Sequence, residues 1–272
     1  MLRFTGDARS ESGLVRHGNE DSGFVSSTLL LVADGVGGNA GGEVASATTA
    51  WTVARQSLAR VGLRPSGVLE QAVEESRGLL ADGVRERPDL TGMATTLTAL
   101  LTDGYRCALA YVGDSRAYQL RAGELRQVTT DHTWVQEAVA AGELTADEAE
   151  QHPWRHVVVR SINAERSQGV EITTLGVRPG DRLLLCSDGL SDLVPPGAIA
   201  AALDGQPDGR AADLLVEHAL RAGGGDNITV VVATAHDVAF DDTDPSGGFV
   251  GAVLDHGNVL GSPVVRLGQN AS

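Results

Sequence analysis

Lysine is missing altogether. All 21 basic residues of this 272-residue chain are arginine, set against 36 aspartates and glutamates, for a formal charge of −15. Nucleic acid is therefore excluded as an expected partner, because its backbone selects a basic stripe. Most of the acidic excess is expected to be solvated surface, but clustered carboxylates are also how a metal site looks before its cations are counted. Aromatics are scarce at 4%, so the core must be built from leucine, valine and alanine. Only two cysteines occur, Cys107 and Cys186, both inside apolar runs (RCALAYV and LLLCSDG). Thiols so placed point to a reducing compartment, not a disulfide scaffold. No run approaches the ~20 apolar residues of a membrane span, and MLRFTGDARSESG lacks the apolar centre of a signal peptide. The expectation is a soluble, cytoplasmic chain with no membrane partner, long enough for one large domain or two small ones.

What is present centres on residues 29 to 44, LLLVADGVGGNAGGEV. The apolar run Leu29 to Ala33 fits a buried strand that ends at Asp34-Gly35. A loop with Gly37, Gly38, Gly41 and Gly42 follows, then a helical segment. A carboxylate at a rigid strand end, followed by glycines that admit close approach, makes a ligand or metal seat. A plain glycine-rich turn explains the same stretch equally well.

Apolar positions at helical spacing predict helices over residues 43 to 61 and 66 to 86, with Ser66 as N-cap after Pro65. From Thr95 the period changes to that of strands. TTLTALLT, RCALAYVGD and RAYQLRAGELRQVT read as a three-stranded meander with turns at Asp103-Gly104 and Ala122-Gly123. Residues 131 to 165 carry two short helical patterns and a His152-Pro153 break, and read as an excursion from the sheet that could serve as a flap. A strand-turn unit returns in DRLLLCSDGLSDLV, helices are expected near 196 to 203 and 210 to 222, and NITVVVATA is a last buried strand. From 237 to 272 the period dissolves, which predicts a mostly disordered tail or linker whose pieces GFVGAVL and SPVVRL retain the capacity to dock as short strands. Runs of strands and separate helix pairs, without βαβ alternation, give an α+β class with a mostly antiparallel sheet.

Four aspartates share one setting. Asp34 follows LLLVA, Asp114 follows ALAYVG, Asp188 follows LLLCS, and Asp226 precedes NITVVV. A sheet gathers its strand ends at one edge, where these groups can converge. Several carboxylates stay ionised in a small volume only if cations compensate them. Hard oxygen donors select Mg²⁺ or Mn²⁺, and no matching set of histidines and cysteines favours zinc. Each aspartate alone is best read as a turn residue; four in the same context reverse that. In GLVRHGNEDSG, Arg16 precedes Asp21 in a polar turn, and a guanidinium is suited to bidentate capture of phosphate.

With these residues in place, the chain resembles the metal-dependent serine/threonine protein phosphatases of type 2C, the PPM family, in their compact bacterial form. The matching pieces are GLVRHGNEDSG, VADGVGGNAGGEVAS, GMATTLTALL, YVGDSRAYQL, TTDHTWV, LLLCSDGLSD and GGGDNITVVV, in the family's order over roughly residues 7 to 235. The resemblance implies a four-layer αββα sandwich of two mostly antiparallel sheets flanked by helix pairs, a phosphatase domain over 1–236 with a flap at about 131–165, and the tail beyond. It implies two Mn²⁺ or Mg²⁺ ions, with Asp34 bridging them, the Gly35 carbonyl on one, Asp188 and Asp226 on the other, and Asp21 acting through or beside water. Asp114, with Asp188, matches the position that helps hold a third, weaker ion. Arg16 matches the arginine that binds the substrate phosphate.

The implied reaction is hydrolysis of phosphoserine and phosphothreonine in proteins, by water that the ions activate for in-line attack on phosphorus. Phosphorylated proteins, Ser/Thr kinases or their substrates, are the implied partners, and the chain is expected to be a signalling monomer. Two other functions fit the same residues: a non-catalytic phosphopeptide-binding regulator, and a phosphohydrolase of small molecules. Four departures from the family pattern stand out. Val36 replaces a histidine proposed elsewhere as general acid, Asn39 replaces another histidine, Ala94 replaces a glycine, and RSINAE at 160 to 165 ends the flap differently.

Overall fold

A computed structural model describes residues 1–36, 41–165, 169–239 and 247–261. The chain opens with β1 (Leu2–Glu11), β2 (Ser22–Val25), β3 (Leu29–Ala33) and the short β4 (Gly35–Val36). A helix pair follows, α1 (Gly42–Ala59) and α2 (Pro65–Glu86). Next come β5 (Ala94–Thr95), β6 (Leu97–Thr102), β7 (Cys107–Val112), β8 (Arg116–Arg121) and β9 (Glu124–Gln127). The excursion holds α3 (Trp134–Ala140) and α4 (Ala146–Glu150) and returns through β10 (Ile162–Asn163). Then β11 (Glu171–Leu175), β12 (Arg182–Cys186), the single turn α5 (Asp188–Ser191), α6 (Pro196–Leu203), α7 (Asp208–Arg221), β13 (Ile228–Asp237) and β14 (Gly248–Gly251) complete the described elements.

One sheet runs β1-β13-β12-β8-β9 and the other β11-β7-β6-β3-β2-β14, with β10-β5-β4 as a small third sheet. Every pairing is antiparallel. The layers follow from the two-residue period of strands. In β3, Leu29, Leu31 and Ala33 pack under α1 and α2, while Leu30 and Val32 face the second sheet. In β12, Leu184 and Cys186 pack under α6 and α7, while Leu183 and Leu185 face inward. In β13, Val230 and Val232 pack outward, Val231 and Ala233 inward. Helices on both outsides bury both faces of each central strand, which is why these strands read as unbroken apolar runs. The result is the expected αββα sandwich.

Three expectations need correction. The meander is not continuous: β6 and β7 belong to one sheet, but β8 pairs with β12 and β9 in the other. The break lies at Gly113, whose φ of 101° ends β7 and lets the chain cross between sheets beside Asp114. Ser66 is not the N-cap of α2, because the helix already starts at Pro65, the first-turn position where a missing N–H costs nothing. Residues 247–261 are not a disordered tail. Gly248–Gly251 adds an edge strand to β2, and two short turns, Ala252–Leu254 and His256–Asn258, cover α1. The apolar contacts of Phe249, Val253 and Val259 offset the ordering cost that the Gly- and Asp-rich composition suggested would prevail. SPVVRL, Gly37, Gly38 and Asn39 lie outside the described residues.

Candidate metal centre

At the junction of β3 and β4, the backbone of Asp34 is fixed on both sides. Its N–H donates to Thr96 Oγ1 at 3.0 Å, and its carbonyl accepts from Thr96 N and Thr95 Oγ1, each at 2.8 Å. These bonds fix the point from which the carboxylate leaves the strand end, within reach of the charges of Asp21, Asp188, Asp114 and Asp226. Gly35 follows, with its N–H on the Glu20 carbonyl at 3.2 Å, and a Cβ here would overlap both that oxygen and the Gly42 carbonyl. This crowding requires the glycine.

Asp21 immediately precedes β2 and is wholly buried. Ser187 Oγ donates to its Oδ2 at 2.8 Å and so ties it to the end of β12, next to Asp188. Asp188 opens α5, and Gly189 packs so tightly on the Asn227 carbonyl that a side chain would collide with it. The Asp188 and Asp226 turns thereby lie against each other. Asn227 also anchors the polar N-terminal loop, accepting from Glu20 N at 2.8 Å and donating to the carbonyls of Ser12 (3.0 Å) and Gly18 (2.8 Å). Arg16, on that loop and half-exposed, donates to Asp226 Oδ2 at 2.7 Å.

The carboxylates feel one another. Burial, then the charges of Asp21, Asp188, Asp114 and Asp226, pushes Asp34 well above the ordinary aspartate range. Burial likewise raises Asp188 well above it, with Asp114, Asp192, Asp226 and Asp21 adding repulsion. Asp21 is pushed up to about 6, chiefly by burial, although hydrogen bonds from Thr229 and Ser187 oppose the rise. Asp114 is pushed up to about 7 by burial and the charge of Asp131. Arg16 is raised by its hydrogen bond to Asp226. All five aspartates and Arg16 singled out in the sequence therefore converge on one end of the sandwich.

Do these residues suit divalent cations? Asp21 Oδ1 and Asp114 Oδ1 are sealed from solvent and have no hydrogen-bond partner among the described residues. A buried carboxylate oxygen left this way is costly unless a cation takes it. The donors are hard oxygens on several short-range anions, which suits Mg²⁺ or Mn²⁺. Both thiols stay out of the chemistry: burial pushes Cys107 up to about 11 and Cys186 up to about 12.

Other contributors were invisible in the sequence. His156, Asp188 and Asp192 bring donor atoms within 4.8 Å of one another, with His156 Nδ1 2.8 Å from Asp192 Oδ2. Asp192 had a weak signal, one helical turn after Asp188; His156 had none. His132 Nδ1 accepts from Gly113 N at 3.1 Å, which leaves Nε2 to carry the proton and donate to Glu171 Oε1 at 3.1 Å. The ring thus holds the backbone beside Asp114. Arg116 pairs with both oxygens of Asp131, a residue whose charge reaches Asp114. Arg16, Arg116, His156, Asp188, Asp192 and Asp226 line a cleft of about 1010 Å³ that extends beneath α3 and α4. Of the departures, Ala94 is the partner of both Val36 and Asn163 in the small sheet, so RSINAE returns the excursion to β5, whose other edge pairs with the strand that follows Asp34.

Such a two-sheet sandwich, with carboxylates gathered at its strand ends and an arginine on the rim, makes a class of site suited to divalent metal ions. The Protein phosphatase 2C family matches residues 6–208, and the chain belongs to it. Over 269 residues it is 43% identical to serine/threonine protein phosphatase PstP of Mycobacterium tuberculosis, covering 99% of this chain and 51% of that one. The chain thus spans about half the length of this relative. Serine/threonine phosphatase stp of Listeria innocua is 33% identical over 236 residues, 82% of this chain and 93% of that one. A crystal structure of the PstP catalytic domain with two manganese ions superposes with a TM-score of 0.81 at 43% identity, covering 87% of this chain and all of that one.

Proposed function

We propose that this chain is a metal-dependent protein phosphatase that hydrolyses phosphoserine and phosphothreonine monoesters. The observation that carries the proposal is the convergence of Asp21, Asp34, Asp114, Asp188 and Asp226, whose mutual repulsion calls for cations. Asp34, the Gly35 carbonyl, Asp188 and Asp226, with Asp21 beside them, hold a pair of Mn²⁺ or Mg²⁺ ions; Asp114 and Asp188 help to hold a third. When bound, the ions supply activated water at neutral pH and offset charge on the phosphoryl oxygens. Arg16 captures the substrate phosphate. Among the described residues one of its N–H groups is engaged by Asp226, and Arg16 lines the cleft, where the remaining donors are available for bidentate contact. Asp226 holds the guanidinium in place through the 2.7 Å contact. The covering segment 131–165 is the flap that shapes access for the peptide around the phosphorylated residue. Phosphorylated proteins, Ser/Thr kinases or their substrates, are the partners, and the chain acts as a monomer in cytoplasmic signalling. No described helix is long and apolar enough to cross a membrane.

The purified chain with Mn²⁺ is expected to hydrolyse phosphothreonine peptides and p-nitrophenyl phosphate, to stop on chelation, and to lose turnover in Asp34→Ala. Undiminished activity of Asp34→Ala overturns the assignment. Uptake of the metal without turnover would leave a phosphopeptide-binding module instead. A strong preference for nucleotides or sugar phosphates over phosphopeptides would redirect it to small molecules.

A further inference from the structure

The C-terminal segment 247–261 reaches the metal centre from behind. β14 pairs with β2 in the register Gly248↔Val25 to Gly251↔Ser22, so it stops opposite the residue next to Asp21. The next amide, Ala252 N, then donates to the Asp21 carbonyl at 2.7 Å. Gly251, at φ 82° and ψ −151°, lies so close over that carbonyl that any Cβ would overlap it. Its far end is fastened as well. Thr48 Oγ1, on the buried face of α1, donates to the Asn258 carbonyl at 3.2 Å and accepts from Leu260 N at 3.0 Å. Asn258 Nδ2 folds back onto the Ala252 carbonyl at 3.0 Å. Between the two ends, Phe249 stacks on Trp51 and tilts against Phe24.

We infer that this segment is a clip whose Ala252 N–H positions Asp21, so that divalent-ion affinity at the centre depends on the clip being docked. The inference rests on the metal-site reading above and goes beyond it, since it assigns a role to residues after the 6–208 family match. Without the clip, β2 becomes an edge strand, and the ends of edge strands open locally at low free-energy cost. Asp21 sits at that end. Its side chain keeps its anchors on Ser187 and Thr229, while its backbone carbonyl loses its hydrogen-bond partner on the clip. The clip therefore acts as a positioning element that needs no contact with substrate.

Ala252→Pro tests this by undocking the near end of the clip: it removes the N–H, and its ring carbon takes the place of that hydrogen against the Asp21 carbonyl. Manganese titration by calorimetry on the full chain is expected to show affinity weaker by roughly fivefold or more, the loss of one hydrogen bond setting the minimum. Turnover of p-nitrophenyl phosphate at saturating Mn²⁺ should stay within about twofold, and the apparent constant for Mn²⁺ should rise by the same factor as the calorimetric one. Thr48→Val, which releases the distal end, should produce the same split, and amide exchange at Ser22 to Val25 in the metal-free chain should quicken in both variants. It keeps the test open if the proline variant fails to fold. Wild-type metal affinity in well-folded variants overturns the clip. Lost turnover at saturating metal with unchanged affinity also overturns it. If the wild-type chain takes up no Mn²⁺ at all, the metal-site reading itself is what fails.

Discussion

Converging carboxylates make the metal-free protein an acid-stabilised one, and Asp34→Asn should reveal it. Asp21 titrates near about 6 and Asp114 near about 7, against an ordinary value of 3.8. A raised folded value means that the native state keeps protons the unfolded chain has released. The stability so gained is complete below pH ~4 and is lost as pH rises through about 6 to 7. Ionising Asp21 in the fold costs about 3 kcal/mol and Asp114 about 4 kcal/mol by the usual conversion. The two overlap, because Asp188 repels both, so a combined loss of about 3–5 kcal/mol between pH 5 and 8 is expected. At roughly 2 °C per kcal/mol for a chain of this size, the metal-free Tm should fall by about 5–10 °C over that window. Asparagine at 34 removes a carboxyl that burial and its neighbours force the fold to keep protonated, while keeping the shape. It should raise the chelated Tm at pH 7.5 by about 3–6 °C, flatten its pH dependence, and cancel most of the gain from Mn²⁺. Thermal melts in chelator and in Mn²⁺, from pH 5 to 8.5, read all three quantities. A metal-free wild type that grows more stable as pH rises across this window, or an asparagine variant that melts below it at pH 7.5, refutes the reasoning.

Arg16→Ala should lower kcat/KM for a phosphothreonine peptide by roughly 30- to 100-fold, the worth of a charge-assisted phosphate contact, while Mn²⁺ affinity changes far less; an equal loss of both would assign Arg16 to the metal site. In Gly35→Ala the new methyl meets the carbonyls of Glu20 and Gly42, and melts should show a loss of about 2 kcal/mol or more together with weakened metal binding. Replacing His132 with phenylalanine strands the buried Gly113 N–H and removes one of the donors to Glu171; a Tm about 2–6 °C lower is expected, from roughly 1–2 kcal/mol. In His156→Ala the excursion loses its 2.8 Å tie to Asp192; peptide KM should rise several-fold while p-nitrophenyl phosphate turnover holds, and parallel loss of both would give the segment a structural role instead.

Strand identity was legible because burial on both faces turns β3, β7, β12 and β13 into unbroken apolar runs. The same double burial hid which sheet each strand joins. A run apolar at every position carries no mark of which face meets helices and which meets the other sheet. The crossing at Gly113 was missed for that reason, since a glycine between two strand-like segments reads as an ordinary turn until its φ is known. The clip was hidden differently. GFVG is four residues long, and its stability comes from Trp51, Phe24 and Thr48, all about two hundred residues away in the chain.

The site divides along a similar line. Aspartates at strand ends declare themselves, because a charged side chain directly after an apolar run sits at the edge of the core and nothing local accounts for it. What holds them in place does not. Ser187 beside Asp21, Asn227 across the Arg16 loop and His132 under Gly113 each bridge segments that meet only in the folded molecule. Alone in sequence, each is an unremarkable polar residue. The groups that bear charge in this centre are thus set by local position, and the groups that orient them by topology. Substitutions of the first kind should therefore change the response to metal and pH, and those of the second should shift stability and metal affinity together.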